Sequence, residues 1–140
     1  MRKTFLLSIL ILLIAGCNKD KYTTKPQVKY RSVNTTVLGR GETLVFNLSF
    51  TDAEGDLSDS LIIVKFEPTC VSSRFNAKYK LPQFPLGKNQ SGDIVVTFGY
   101  NDIPPKCFPK NDTAVFKFVL KDKAQNQSDT AVSETIIITT

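Results

Sequence analysis

The 140-residue chain contains no histidine and no tryptophan. Without histidine it has no imidazole to act as a general base, to activate a serine or cysteine nucleophile, or to ligate a metal. Glycine and proline are also few, at seven residues each, and no segment repeats at a fixed period, which excludes low-complexity and repeat architectures. With 41% hydrophobic and 22% charged residues, the composition is that of one ordinary globular domain.

The N-terminus combines a basic start with a short apolar run. Arg2 and Lys3 precede eleven uncharged residues, 5–15. A helix that spans a bilayer needs about 20 apolar residues, so this run is too short for a permanent transmembrane segment. The pattern predicts a signal helix that directs export and is then removed.

The apolar run ends in Leu-Ile-Ala-Gly-Cys, residues 13–17, which resembles the bacterial lipobox. The resemblance implies that residues 1–16 are a lipoprotein signal peptide and that Cys17 is acylated on its thiol and, after cleavage, on its amino group. An ordinary signal peptide that ends beside a cysteine is the alternative. Asn18 stands where the inner-membrane retention signal of many Gram-negative lipoproteins carries Asp. The resemblance therefore implies lipid anchoring to the outer membrane, with the leaflet left open.

Residues 17–30 follow as a lipidated N-terminus and tether, because the segment is polar and has no period. Cleavage before Cys17 would leave 124 residues with a formal net charge of +3. Five cations would lie close to the anchor: Lys19, Lys21, Lys25, Lys29 and Arg31. A solvated tether beside anionic headgroups accounts for them. No basic helix, zinc finger or aromatic RNA-binding motif is present, so we expect no nucleic-acid partner.

Acylation of Cys17 would leave two further cysteines, Cys70 and Cys107. An even number of thiols in an exported chain predicts a disulfide between them, and two buried thiols are the alternative.

Hydrophobic segments typical of strands recur after the tether. Two segments, 43–51 and 113–121, alternate most cleanly, and their apolar positions are Leu44, Phe46, Leu48 and Phe50 in the first and Ala114, Phe116, Phe118 and Leu120 in the second. The other candidate strands are 33–38, 61–66, 73–81, 94–100 and 131–139. About seven strands with turn residues between them predict an all-β fold, an antiparallel β-sandwich over residues 31–140.

Two loop segments resemble those of cadherin-like and related immunoglobulin-like domains. Residues 50–57, Phe-Thr-Asp-Ala-Glu-Gly-Asp-Leu, look like the acidic loop after the second strand, and residues 118–128 look like the end of the penultimate strand. The resemblance implies an immunoglobulin-like sandwich. A true immunoglobulin bridges its second and sixth strands through the core. Here Cys70 and Cys107 would instead join the exit of the third candidate strand to the loop before the sixth.

In cadherin-like domains this acidic end holds calcium, so the resemblance implies Asp52, Glu54, Asp56 and Asp122 as calcium ligands. Carboxylate oxygens are the ligands that Ca²⁺ takes, at six to eight per ion. Asp, Asn and Gly also form turns without any ion, and both interpretations stay open. The chain lacks the Asp-x-Asn-Asp-Asn linker that completes the cadherin site.

Nothing in the sequence predicts an enzyme. Paired carboxylates can hydrolyse glycosides, but Asp52 and Asp56 fall on a predicted surface turn with no bulk around them to form a cleft. Aromatic residues near the Cys70–Cys107 segment fill the core or form a sugar- or peptide-binding patch, and they are Phe75, Tyr79, Phe84, Tyr100 and Phe108. We expect a lipid-anchored, non-catalytic binding or adhesion module of the cell envelope, with a protein or glycan ligand. A structural accessory subunit of a larger outer-membrane complex, with no free ligand, is the alternative.

Overall fold

The structure, a computed structural model, describes residues 22–57, 59–85 and 87–140. The predicted signal helix and Cys17 lie outside these residues. The described chain forms nine strands: β1 (Gln27–Val33), β2 (Val37–Leu38), β3 (Thr43–Asp52), β4 (Ser60–Phe66), β5 (Phe75–Lys80), β6 (Gln90–Gly99), β7 (Asp112–Lys121), β8 (Ala131–Val132) and β9 (Ile136–Ile138).

The strands form two sheets, which confirms the predicted all-β sandwich. One sheet has the order β1-β3-β6, and the other has the order β2-β9-β7-β4-β5, with β8 beside β7. Every pair is antiparallel except β2 with β9. The predicted antiparallel arrangement thus holds for every pair except this short one. After three connecting residues, β2 continues in the direction of β1 and so runs alongside β9.

The first predicted strand, 33–38, is divided between two strands in opposite sheets. The first of them, β1, begins at Gln27, so residues 27–30 belong to the sheet although they were predicted as tether. Burial accounts for this start, because Val28 is buried opposite Phe50 of β3. A register shift between Tyr30 and Ser32 bends β1 before its end.

The last predicted strand, 131–139, is divided into β8 and β9, because a serine side chain replaces a backbone group in the hydrogen bonding with β7. The Ser133 hydroxyl accepts the hydrogen bond of the Phe116 amide, 2.9 Å away, in the place of a backbone carbonyl. A similar substitution occurs earlier, where the Ser128 hydroxyl accepts from the Leu120 amide at 2.9 Å. Serine side chains therefore interrupt the pairing along β7, which sequence alternation alone does not reveal.

Strand β6 begins at Gln90, four residues before the predicted strand 94–100. Gly92 lies opposite Phe50 in the register of β3 and β6. A Cβ atom at Gly92 would stand 3.0 Å from Cε1 of the Phe50 ring. The glycine is therefore a site of close ring packing within a strand, and not a turn residue.

The core lies between the sheets and follows the predicted alternation. All four predicted apolar positions of β3 are buried, as are those of β7. Phe46 is fully buried at the centre, with ring centroids 4.8 Å from Phe116 and 5.2 Å from Phe118. Full burial of one such ring contributes about 1.5–3 kcal/mol, so these aromatic contacts hold the two sheets together.

The sandwich has two ends, separated by ten-residue strands that span roughly 30 Å. At the tether end, the Thr23 carbonyl accepts from the Ala53 amide at 3.1 Å, and Gln27 pairs with Thr51. The disulfide end holds Cys70 and Cys107, beyond the end of β4 and before the start of β7. The chain therefore enters at one end and places its disulfide at the other.

Candidate functional site

At the tether end, the two acidic loops lie together as the sequence predicted. The Asp56 carbonyl accepts from the Lys123 amide at 3.1 Å, and its carboxylate Oδ2 accepts from the Ala124 amide at 3.3 Å. Asp52, at the end of β3, is fully buried, and its Oδ2 accepts from the Asp56 amide at 3.0 Å. Asp52 and Asp56 are thus held side by side beneath the loop that follows β7.

The four predicted calcium ligands do not act as one group. Glu54 is exposed. Asp122 is buried, but both of its carboxylate oxygens accept from Asn126, at 2.7 and 2.9 Å, so it closes its own turn. Within the described residues, no cluster of three or more Asp, Glu, His or Cys side chains is arranged to hold a metal. The turn interpretation therefore accounts for Asp122 fully and for Asp52 in part, since the Asp52 carboxylate also accepts from the amide four residues on.

Four buried side-chain oxygens at this end have no hydrogen-bond partner among the described residues. One is the hydroxyl Oγ1 of Thr51, and the other three are Oδ1 of Asp52, Oδ1 of Asp56 and Oε1 of Gln90. Gln90 pairs with Asp52 in the register of β3 and β6, so all three come from neighbouring positions. Oxygen atoms of carboxylates and amides are calcium ligands. Asp52, Asp56 and Gln90 therefore offer oxygens of the kind calcium binds, whereas Glu54 is exposed and both carboxylate oxygens of Asp122 are used in its own turn.

The electrostatics of Asp52 point the same way. Burial raises the pKa of this carboxyl above its ordinary value. The hydrogen bond from the Asp56 amide opposes the rise, and the charge of the Asp56 carboxylate adds to it. Two carboxylates near each other in a buried site are unfavourable unless a proton or a cation offsets their charge.

At the disulfide end, the bond between Cys70 and Cys107 that the sequence predicted is present. It closes a loop of 37 residues, and the two Cα atoms are 6.0 Å apart. The Ser72 hydroxyl lies 3.3 Å from the Cys70 sulfur and 3.4 Å from the Cys107 sulfur. The loop after β4 is therefore tied covalently to the segment before β7.

Buried charged side chains also connect the loop after β4 to the start of β7, in addition to the disulfide. Lys65 and Asp112 are fully buried and form an ion pair of 2.5 Å, and the Ser73 hydroxyl also bonds to the Asp112 carboxylate. Glu67, also buried, accepts from the Thr113 amide. Sequence reasoning missed this network, although Lys65 alternates in step with Leu61 and Ile63 and so lies on the same buried face of β4. Buried charges in such a network hold their loop in one geometry.

Two large apolar side chains stand exposed at this rigid end. Val71 is 71% exposed and Phe108 is 79% exposed. Each follows a bonded cysteine directly, so their Cα atoms are at most about 14 Å apart, given the 6.0 Å between the cysteine Cα atoms. A depression of about 340 Å³ adjoins Phe108 and is lined also by Tyr100 and Pro104. Exposed aromatic and aliphatic groups on fixed loops are typical of contact sites for another molecule.

The five aromatic residues predicted as core or patch divide between the two roles. Phe75 and Phe84 pack against core rings, with centroids 5.8 Å from Phe98 and 5.3 Å from Phe50. Tyr100 is half-buried and donates its hydroxyl to the Thr139 carbonyl at 2.9 Å. Phe108, as described, and Tyr79, at 45% exposure, face solvent.

No helix within residues 22–57, 59–85 and 87–140 is long and apolar enough to cross a membrane.

No family model matches the chain, and no curated protein matches it. Among solved structures, it resembles part of the Pseudomonas fluorescens alkylpurine DNA glycosylase AlkC bound to DNA containing an abasic site analog, with 14% identity and a TM-score of 0.51. That match covers 94% of this chain and 33% of the glycosylase chain. Spo0M, the sporulation control protein of Bacillus subtilis, matches with 8% identity and a TM-score of 0.49 over 84% of this chain and 51% of its own. The chain thus spans about a third to a half of these proteins, and the likeness concerns the fold alone.

Proposed function

We propose that the protein is a lipid-anchored, non-catalytic binding module of the cell envelope that contacts a protein or glycan through its disulfide end. One observation carries the proposal: the described chain begins at the tether end, and the exposed Val71 and Phe108 lie at the other. An anchor at Cys17 would then attach to the end remote from these side chains. Their loops would face away from the membrane, where a ligand can reach them.

The anchor is tested by Cys17→Ser in cells. The substituted chain has no thiol to acylate, so we expect loss of processing to the mature size and release from the membrane fraction. A matched serine substitution at an exposed residue of the same N-terminal segment, Thr24→Ser, should leave processing and membrane retention unchanged. Normal processing and retention of the Cys17→Ser chain would contradict the lipid anchor.

The binding end is tested with the full chain on a glycan array and in cross-linking on intact cells. We expect Phe108→Ser to lower the signal at least about tenfold, because an anchoring aromatic side chain at an interface contributes 2 kcal/mol or more. Val132→Ser is the control, because Val132 is 47% exposed on β8 and away from the disulfide. A stoichiometric membrane complex that the Phe108→Ser chain still joins would instead favour the accessory subunit.

We further propose that calcium stabilises the tether end through Asp52 and Asp56. The three buried carboxylate and amide oxygens without partners support this proposal, because a bound cation would satisfy them and offset the two carboxylates. The melting temperature should rise in millimolar calcium relative to chelator, and Asp56→Asn should abolish the rise. Glu54→Gln, an exposed change in the same loop, should preserve it. A melting temperature that is indifferent to calcium would refute the cation site.

A further inference from the structure

Strand β6 differs from the other sheet edges in having no protection against pairing. An edge strand exposes unpaired N–H and C=O groups, and proteins protect such edges with lysine, proline, bulges or very short strands. In this protein β1 has a bulge and carries Lys29 and Arg31, β5 carries Lys78 and Lys80, and β2 has only two residues. Ten-residue β6 has no proline, lysine, arginine or bulge, and its one charge is Asp93.

The free edge of β6 opens onto an apolar groove. Strand β6 pairs with β3 on one side, and no strand of the described chain pairs with its other side. The groove between the β5 and β6 edges has a volume of about 710 Å³, within the range of ligand sites. Its lining includes half-buried Phe75 and Ile94, together with Tyr79, 45% exposed, and Val95, 61% exposed.

The charges at the groove identify the chemistry of its occupant. Lys80 lies towards the tether end, opposite the first residue of β4, and Lys106 lies beside Cys107 at the disulfide end. Both are exposed and neither has a charged partner among the described residues. The carboxylate of Asp102, which also lines the groove, accepts from the Gly99 amide at 2.7 Å. An apolar floor thus lies between two free cations.

We propose that the β6 edge binds an extended peptide segment of a partner protein, with aliphatic side chains at alternate positions and an acidic residue at each end. The peptide adds as a strand to β6, so its backbone groups pair with the free edge. Alternate side chains then enter the groove, and the acidic ends face Lys80 and Lys106. About six to seven residues span the six-residue length of β5. This site meets the disulfide end only at Lys106, includes neither Val71 nor Phe108, and does not depend on the lipid anchor.

A second copy of this chain is a poorer occupant. Pairing two β6 edges would bring the Lys80 and Lys106 of one copy against those of the other. Like charges at such an edge oppose association, whereas an acidic-ended peptide is complementary.

The test uses the full chain in detergent with two synthetic heptapeptides, Asp-Thr-Val-Thr-Val-Thr-Asp and Lys-Thr-Val-Thr-Val-Thr-Lys, in which the charged ends and the valines share one face of an extended strand. We expect the acidic peptide to bind about tenfold more tightly at low salt, the scale expected from exchanging two attractive surface contacts for repulsive ones. Hydrogen exchange should slow at the amides of β6 when it binds. The Lys80→Glu/Lys106→Glu variant should reverse the preference, and the control Lys110→Glu/Lys123→Glu, with the same change in charge outside the groove, should preserve it.

A third variant separates edge pairing from charge. Val95→Lys places a lysine on the free edge, which opposes strand addition, although its positive charge alone would attract the acidic peptide. We expect binding of the acidic peptide to weaken about tenfold, with the melting temperature of the protein unchanged, whereas tighter binding would mean that charge alone holds the peptide. Absence of binding by both peptides at millimolar concentration would overturn the proposal. Protection of the Val71 and Phe108 loops in place of β6 would do so as well. Concentration-dependent dimerisation that protects β6 without peptide would assign the edge to a second copy and also overturn it.

Discussion

Removal of the disulfide tests how the disulfide end is held in place. In the Cys70→Ala/Cys107→Ala chain the 37-residue loop is no longer closed in the unfolded state. The chain-entropy model assigns such a closure roughly 3–4 kcal/mol of stability. For a domain of this size that loss lowers the melting temperature by roughly 10–15 °C. Urea unfolding followed by circular dichroism measures the free energy of unfolding directly.

Reduction supplies the control for the two substitutions. Wild-type protein in reducing agent should lose about the same stability as the variant, and the variant should be indifferent to reducing agent. A loss below about 1 kcal/mol in both cases would refute the reasoning. Such a result would mean that the unfolded chain stays compact around this loop without the covalent bond.

Three further predictions concern the core and the two ends. Asp112→Ala leaves the buried Lys65 ammonium without its partner and should cost about 3–5 kcal/mol in urea unfolding, whereas a cost below about 1 kcal/mol would mean that the lysine finds water. Phe46→Ala empties the centre of the core and should lower the free energy of unfolding by about 3–5 kcal/mol, by the same measurement. Because the folded pKa of Asp52 is raised, the folded state holds this proton more tightly than the unfolded state, and in chelator its contribution to stability falls as pH rises from about 4 through that raised pKa. Asp52→Asn should flatten this decline and raise the melting temperature at pH 7 in chelator, and a lower melting temperature there would contradict the unfavourable carboxylate.

The strands that the sequence predicted well are those with one buried face. In β3 and β7 every second residue is apolar. This alternation depends only on neighbouring residues, so it can be read from the sequence without knowing the fold. The start of β6 was missed because glycine is common in turns. In the structure Gly92 lies within the strand, where the absence of a side chain leaves room for the ring of Phe50. The division after Val132 was missed because it depends on the hydroxyl of Ser133 reaching β7, which is a tertiary contact.

The candidate sites divide in the same way. The adjacency of Asp52, Asp56 and the loop after β7 could be predicted because strands that alternate in direction bring specific loops to one end. The place of Gln90 beside Asp52 could not, since it follows from the register of two strands 38 residues apart in sequence. Burial of Lys65 was detectable in principle, because it lies on the same face of β4 as Leu61 and Ile63. A lysine in that position normally suggests the edge of a strand, and only the fold supplies its partner, Asp112.

The end of β9 has a practical consequence for labelling this protein. The Thr140 amide donates a hydrogen bond to Oδ1 of Asn111 at 3.1 Å, and Thr140 borders the same depression as Phe108. A fluorescent reporter or affinity handle appended after Thr140 would therefore crowd the exposed loops of Val71 and Phe108 and mask them in any interaction screen. Insertion near exposed Lys123, at the opposite extremity, would leave those loops unobstructed.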